Sequence, residues 1–132
     1  MTALWTVRCY VSAQGSDEIR AWYDRQPPKV QAKFLSRLKA LAHLELKEWK
    51  LPLFRWLHGE CVPLGEVRFE VQNVQHRPLG YRAGESVFTL TFCATEKNER
   101  FVPANACAIA LNRKTEIENA SAKSIPCWLP LE

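Results

Sequence analysis

The sequence predicts an α+β fold in which a mainly antiparallel sheet of four strands carries its helices on one face. In four segments apolar residues alternate with polar ones, which is typical of half-buried strands. Two segments after the first strand instead place apolar residues three or four positions apart, as one face of a helix does. The remaining three strands then follow one another, and this order favours an antiparallel sheet with helices gathered on one side and an open face on the other.

The first strand and the first helix are predicted from the N-terminal segment. Trp5, Val7, Cys9 and Val11 share one parity and are expected to face the core. A helix over residues 16–26 follows, because Ser16 and Asp17 are residues that cap helix N-termini. Its apolar face consists of Ile19, Trp22 and Tyr23.

The second helix is predicted over residues 28–46. Pro27-Pro28 ends the preceding helix and opens this one, because a proline at the first helical position loses no hydrogen bond. Val30, Phe34, Leu38 and Leu41 then recur at spacings of four, four and three residues. The lysines of this helix are expected to form its solvated face.

Three strands and a final helix fill the rest of the chain. Residues 51–65 are expected to be irregular, residues 67–71, 74–81 and 88–92 to be strands, and the segment from Pro103 to Ile117 to be a helix. We expect one domain over residues 1–123, followed by an irregular tail over 124–132 that packs on the domain or on a partner.

Composition indicates a globular protein with a slight preference for polyanions. Of 132 residues, 47% are hydrophobic and 24% charged, and the net charge is +4. The five cysteines include no CxxC pair, so they are expected to be buried free thiols in a reducing compartment. Neither a signal peptide nor a membrane span is apparent, which makes the cytoplasm the expected location.

Four motifs, in order, resemble the RelE/ParE superfamily of toxins, and in detail its HigB-like, phage-associated branch. Their order and spacing over about residues 4–118 carry the likeness. The four are Trp22-Tyr23 before Pro27-Pro28, Gly65-Glu66-Val67-Arg68-Phe69, His76-Arg77, and the run from Thr95 to Pro103 ahead of the last helix.

The resemblance implies a RelE-like fold and the toxin of a type II toxin-antitoxin system. Such a protein is an endoribonuclease that cleaves messenger RNA on the ribosome without a metal or another cofactor, and a cognate antitoxin protein inhibits it. The chain departs from the family pattern at three places: Lys97-Asn98 replaces paired lysines, Phe92 or Cys93 replaces a terminal aromatic or histidine, and His76 replaces a tyrosine.

Arg68, Arg77 and His76 are the candidate catalytic residues. Cleavage by the ribose 2′-OH gathers negative charge on the phosphate, which guanidinium groups stabilise well. We expect the Arg68 and Arg77 side chains to be exposed and to converge on the open face. His76 can act as acid or base near neutral pH, but a regular strand would turn it and Arg77 to opposite faces.

Lys97, Arg100, His58 and Arg55 are the candidate RNA-binding residues. Lys97 and Arg100 follow the last strand at the family's basic element, although Glu96 and Glu99 can neutralise them. His58 and Arg55 lie in the irregular segment, where the family often places basic site residues.

Alternative functions remain compatible with these features. A ParE-like member of the same superfamily inhibits DNA gyrase and cleaves no RNA, and a non-catalytic binding protein could retain the fold without the activity. A metal-dependent nuclease is disfavoured, because the chain has no HxxH, no CxxC and no tight carboxylate cluster.

Overall fold

A computed structural model describes residues 2–132. Its strands form one mixed sheet. The strands are β1 Thr6–Val11, β2 Phe54–Trp56, β3 Gly65–Val67, β4 Phe69–Val71, β5 Val74–Gly84, β6 Val87–Lys97, β7 Arg100–Val102 and β8 Lys123–Pro126. The helices are α1 Glu18–Asp24, α2 Pro28–Ala42 and α3 Ala106–Glu118, with short 3-10 turns at Leu46–Glu48 and Gly59–Cys61.

The sheet is larger than the sequence predicts, and the expected fold class is wrong. Within the described chain the sheet has eight strands rather than four, in the order β2-β3-β5-β6-β1-β8, with β4 added to β5 and β7 to β6. Strands β1 and β6 run parallel, and the other strand pairs of the described residues run antiparallel. Three of the additional strands, β2, β7 and β8, are three or four residues long, too short to produce a clear alternation. The fourth arises because the predicted strand over 67–71 is divided at Arg68 into β3 and β4.

Helices cover both faces of this sheet, which also contradicts the expected one-sided arrangement. On the first face, here called the hairpin face, α1 and α2 bury Ile19 and Phe34 in the same core as Phe88. On the second face, here called the α3 face, Ala106 and Ala110 pack against Leu79, Tyr81 and Ala94. Helix α3 therefore occupies part of the surface that the sequence analysis expects to be open.

A bulge in β6, where it pairs with β5, explains why alternate residues of β6 are buried in different cores. Leu79 pairs with Phe92 and Gly80 with Leu90, so Thr91 is an extra residue on β6. Beyond this bulge, the parity of β6 is reversed. Leu90 therefore packs on the hairpin face, whereas Phe92 packs on the α3 face.

Helix α2 begins where the sequence predicts, α1 begins two residues later than predicted, and both helices end earlier. Asp17 caps α1 by accepting a hydrogen bond from the Arg20 backbone N–H at 3.1 Å. Pro28 is the first residue of α2, whose buried residues are Val30, Phe34, Leu38, Leu41 and Ala42. Helix α2 ends at Ala42, four residues before the expected end at 46.

The C-terminal tail is part of the sheet, and the cysteines are not free as expected. Strand β8 pairs antiparallel with β1, and the disulfide Cys9–Cys127 joins the tail to that strand. A second disulfide, Cys61–Cys107, joins the 3-10 turn at 59–61 to α3. Cys93 is the free cysteine, and burial raises the pKa of its thiol. The pairings link residues 118 and 46 positions apart, which spacing along the chain cannot reveal.

Among residues 2–132, no helix has both the length and the apolar character needed to cross a membrane.

Candidate functional site

Charged side chains converge on the part of the α3 face that α3 leaves uncovered. Register places Arg55 opposite Glu66, Glu66 opposite Leu79, and Arg77 opposite Ala94. Directly opposed residues of neighbouring strands have their side chains on the same face. The charged residues of β2, β3 and β5 thus share this face with the apolar residues beneath α3.

Glu66 lies at the centre of the charged group. Its side chain is 0% exposed, and its Oε2 atom lies 3.4 Å from Arg55 Nε and 3.8 Å from Arg77 Nε. Arg68 Nη1 donates a hydrogen bond to the same oxygen. Oε1 is buried without a hydrogen-bond partner in the described residues. One carboxylate therefore holds three arginines, which we call the arginine cluster: Arg55, Arg68 and Arg77.

Arg77 is buried within this cluster, and each nitrogen of its guanidinium group donates a hydrogen bond. Its side chain is only 3% exposed, and its Nε donates to Glu96 Oε1 at 2.9 Å. Its Nη1 donates to the His76 carbonyl at 2.9 Å, and its Nη2 donates to Gln75 Oε1 at 3.1 Å. Arg77 shares the face with Arg68, but the expectation that its guanidinium is exposed is wrong.

Arg68 and Arg55 are more accessible than Arg77, although Arg68 is less exposed than expected. Their side chains are 22% and 49% exposed, respectively. Arg68 lies in the one-residue gap between β3 and β4, where its backbone N–H donates to the Leu53 carbonyl at 3.0 Å. This anchoring holds the Arg68 backbone while its guanidinium extends over the sheet.

Two adjacent cavities flank Arg68, which lines both. The first has a volume of about 430 Å³ and combines Arg55 and Arg68 with two carboxylates and an aromatic ring: Glu96, Glu99 and Phe101. The second has a volume of about 390 Å³ and lies towards α2. It is lined by Arg37, Leu51, Pro52, Arg68, Phe69, Glu70, Gln75 and Arg77. The two cavities are therefore neighbours on either side of Arg68.

His76 lies on the hairpin face, away from the arginine cluster. Its ring stacks on Phe69 at 5.0 Å between centroids and meets the edge of Trp22 at 6.3 Å. Burial, and then the charge of Arg77, lower the pKa of His76. The alternation of β5 separates His76 from its neighbour Arg77, so His76 is removed from the candidate site.

The other predicted RNA-binding residues lie at the margins. Lys97 and Arg100 are exposed and opposite each other in the hairpin of β6 and β7, yet the first cavity is lined by their neighbours Glu96, Glu99 and Phe101. His58 is exposed before the 3-10 turn at 59–61 and lines neither cavity. Arg55 alone of this group belongs to the arginine cluster.

Local sequence patterns did not predict the roles of Glu66 and Glu96, and Glu96 was expected only to neutralise nearby basic residues. A signal for Glu66 was present, because a carboxylate between Gly65 and Val67 in a buried strand needs a charged partner. Arg37 was also missed, since its spacing in α2 matches that of solvated lysines.

Comparisons with protein-family models, curated proteins and solved structures give no match to this chain. Within the part of the chain that the structure describes, no group of three or more His, Cys, Asp or Glu side chains is placed to hold a metal ion. The chemistry of the site therefore has to be argued from the arginine cluster and the two cavities.

Proposed function

We propose that this protein binds single-stranded RNA over the arginine cluster and cleaves it without a metal ion. The observation that carries the proposal is the position of Arg68, held by buried Glu66 between two adjacent cavities. The three arginines of the cluster together with Glu66 and Glu96 carry a net charge of +1. A phosphate bridging the two cavities would meet the accessible guanidinium groups of Arg68 and Arg55.

The proposed reaction is attack of a ribose 2′-oxygen on the adjacent phosphorus. The bond to the 5′-oxygen breaks, which leaves a 2′,3′-cyclic phosphate and a 5′-hydroxyl. Glu96, at the wall of the first cavity, takes the 2′ proton, and water in the open cavity protonates the leaving oxygen. Arg68 and Arg55 stabilise the charge on the phosphate, while Arg77 positions Glu96 through its 2.9 Å hydrogen bond.

Phe101 provides a surface for the base next to the scissile phosphate. It lines the first cavity with Arg55 and Arg68, and its ring is partly buried against the core beneath α3. A base stacked on an aromatic side chain gains about 1–3 kcal/mol whatever its identity. This contact favours a single strand, whose bases are free to stack outside a duplex.

We propose from the sequence resemblance that the biological target is messenger RNA, cleaved at the ribosome, and that an antitoxin protein inhibits the enzyme. The motifs at 65–69 and 95–103 support this assignment because they contain Arg68, Glu66, Glu96 and Phe101. The acidic segment of an antitoxin would compete with RNA for the same guanidinium groups.

A messenger RNA target implies that the protein acts in the cytoplasm. The two disulfides provide a test of this location. Disulfides are typical of oxidising compartments, whereas the cytosol keeps thiols reduced. The proposal therefore requires that the protein stay folded and active with Cys9, Cys61, Cys107 and Cys127 reduced. Thiol titration and RNA cleavage, measured on the same reduced preparation, test this requirement.

The test of cleavage uses the purified protein, an unstructured RNA and excess EDTA. Wild-type protein should cleave the RNA, and Arg68→Ala should reduce the rate about 10²-fold, the loss expected for one transition-state donor. Arg68→Lys should recover part of the rate, because lysine keeps the charge and loses the planar fork. Arg82→Ala is the matched control, because Arg82 donates to the Glu85 carbonyl outside both cavities. Equal rates for Arg68→Ala and wild type would refute the proposed role.

A second candidate function is RNA binding without cleavage. It is favoured by the position of His76 on the opposite face, which leaves carboxylates as the acid-base groups lining the first cavity. Binding that depends on Arg68, combined with intact RNA after prolonged incubation, would support this function instead.

A further inference from the structure

Helix α2 presents a row of cations beside the candidate site. Lys29, Lys33 and Arg37 follow at intervals of four residues, and α2 contains no acidic residue. Successive members lie about 6 Å apart along the helix axis. Lys29 and Lys33 are exposed and form no ion pair within residues 2–132. The charges of the row are therefore not neutralised along the helix.

The row lies beside a third cavity, next to the two cavities that flank Arg68. This third cavity, of about 340 Å³, lies between α2 and the end of β4 and is lined by Lys29, Ala32, Lys33, Glu70, Val71 and Gln72. It shares Glu70 with the second cavity, which in turn shares Arg68 with the first. The three cavities are thus neighbours, and together they run from Phe101 to Lys29.

Arg37 connects the row to the arginine cluster. Its Nη1 donates to the carbonyl of Arg68, and it lines the second cavity. Burial lowers the pKa of Arg37, because its charge is partly removed from water. The chain thus places a partly buried cation between exposed Lys33 and the cluster, an arrangement that a bound polyanion would stabilise.

We propose that Lys29, Lys33 and Arg37 form a phosphate-binding track, which holds single-stranded RNA beyond the nucleotides that occupy the first two cavities. The track extends the proposed function and depends on it. Its ligand is the sugar-phosphate backbone, since these lysines provide positive charge but no surface that contacts the bases specifically.

The experiment measures binding of fluorescent, uncleavable 2′-O-methyl RNA by anisotropy between about 50 and 200 mM salt. Two ligands are compared, a trinucleotide and a strand of about 12 nucleotides. The Lys29→Gln/Lys33→Gln variant should bind the trinucleotide as wild type does and the longer strand more weakly. Its salt slope for the longer strand should be flatter by about 1.4, because each single-strand phosphate contact contributes about 0.7.

Lys39→Gln/Lys47→Gln is the control with the same change in net charge. Both lysines are exposed and line none of the three cavities. This variant should keep the wild-type slope.

The outcomes separate the track from the site. If Lys29→Gln/Lys33→Gln keeps the wild-type slope, or if both double variants flatten the slope equally, the track is refuted. The proposed function stands in that case if Arg68→Ala still weakens trinucleotide binding. If wild-type protein binds neither RNA, the track and the proposed function both fail.

Discussion

Removing the Glu66 carboxylate should destabilise the protein strongly. Glu66→Ala leaves Arg77, which is 3% exposed, with Glu96 as its remaining carboxylate partner. Breaking a buried ion pair from one side costs about 3–5 kcal/mol. Because Arg55 and Arg68 are partly exposed, water can solvate their guanidinium groups once the carboxylate is removed. The expected loss of unfolding free energy is therefore at the lower end of this range, at about 3 kcal/mol. At about 3 °C per kcal/mol for a chain of this size, the melting temperature should fall by about 9 °C.

Urea unfolding followed by tryptophan fluorescence measures this loss, since the chain contains five tryptophans. The midpoint should fall while the slope of free energy against urea stays constant. Glu70→Ala is the matched control, because Glu70 is exposed on the adjoining strand and hydrogen-bonds Gln75. That variant should change the free energy of unfolding by no more than about 0.5 kcal/mol. Equal effects of the two substitutions would refute the central role of Glu66.

Three further predictions concern pH, the disulfides and the cell. The pKa of His76 is lowered in the folded state, so stability should be fully present above about pH 6.5 and should fall as the pH drops below it; in urea titrations His76→Phe should reduce this fall. Cys127→Ser should lower the free energy of unfolding by about 2–4 kcal/mol in oxidising buffer, with no difference from wild type after reduction; a difference that persists would show another role for this cysteine. Inducing the protein in bacteria should slow growth and deplete messenger RNA, whereas intact messages with altered DNA supercoiling would favour the gyrase-directed alternative.

Local patterns predict the longer elements of the fold well. The alternation from Trp5 to Val11 corresponds to β1, and the spacing of Phe34, Leu38 and Leu41 corresponds to the buried face of α2. Both patterns depend on residues close in sequence, although β1 also buries Tyr10 on its opposite face. Such segments are those for which periodicity carries the most information.

The bulge in β6 shows why the two-sided packing is not readable from the sequence. Phe88, Leu90 and Phe92 alternate without interruption, which predicts one shared face. The extra residue at Thr91 turns Phe92 to the opposite core. Because both faces of the sheet are covered by helices, an apolar side chain can be buried on either face. The sequence pattern therefore does not change where β6 turns its apolar side chains from one face to the other.

Non-local pairing accounts for the other differences. Strand β8 consists of Lys123-Ser124-Ile125-Pro126, which has no alternation of its own and is held by β1 and the Cys9–Cys127 bond. In the candidate site, strand parity predicts that Arg68 points away from the core formed by Val67 and Phe69. The convergence of Arg55, Arg68 and Arg77 on Glu66 depends on the pairing register of three strands, β2, β3 and β5, which local sequence patterns do not reveal.

The most direct test of the proposed reaction is the chemistry of the RNA ends. An RNA with one cleavage site is incubated with the protein in EDTA, beside a copy carrying a single 2′-deoxy nucleotide on the 5′ side of the scissile phosphate, and the products are analysed by mass spectrometry. Cleavage driven from the 2′-oxygen predicts a 2′,3′-cyclic phosphate and a 5′-hydroxyl from the first RNA, and no cut in the second. Products with 5′-phosphate ends, or equal cleavage of the deoxy-substituted RNA, would contradict this mechanism.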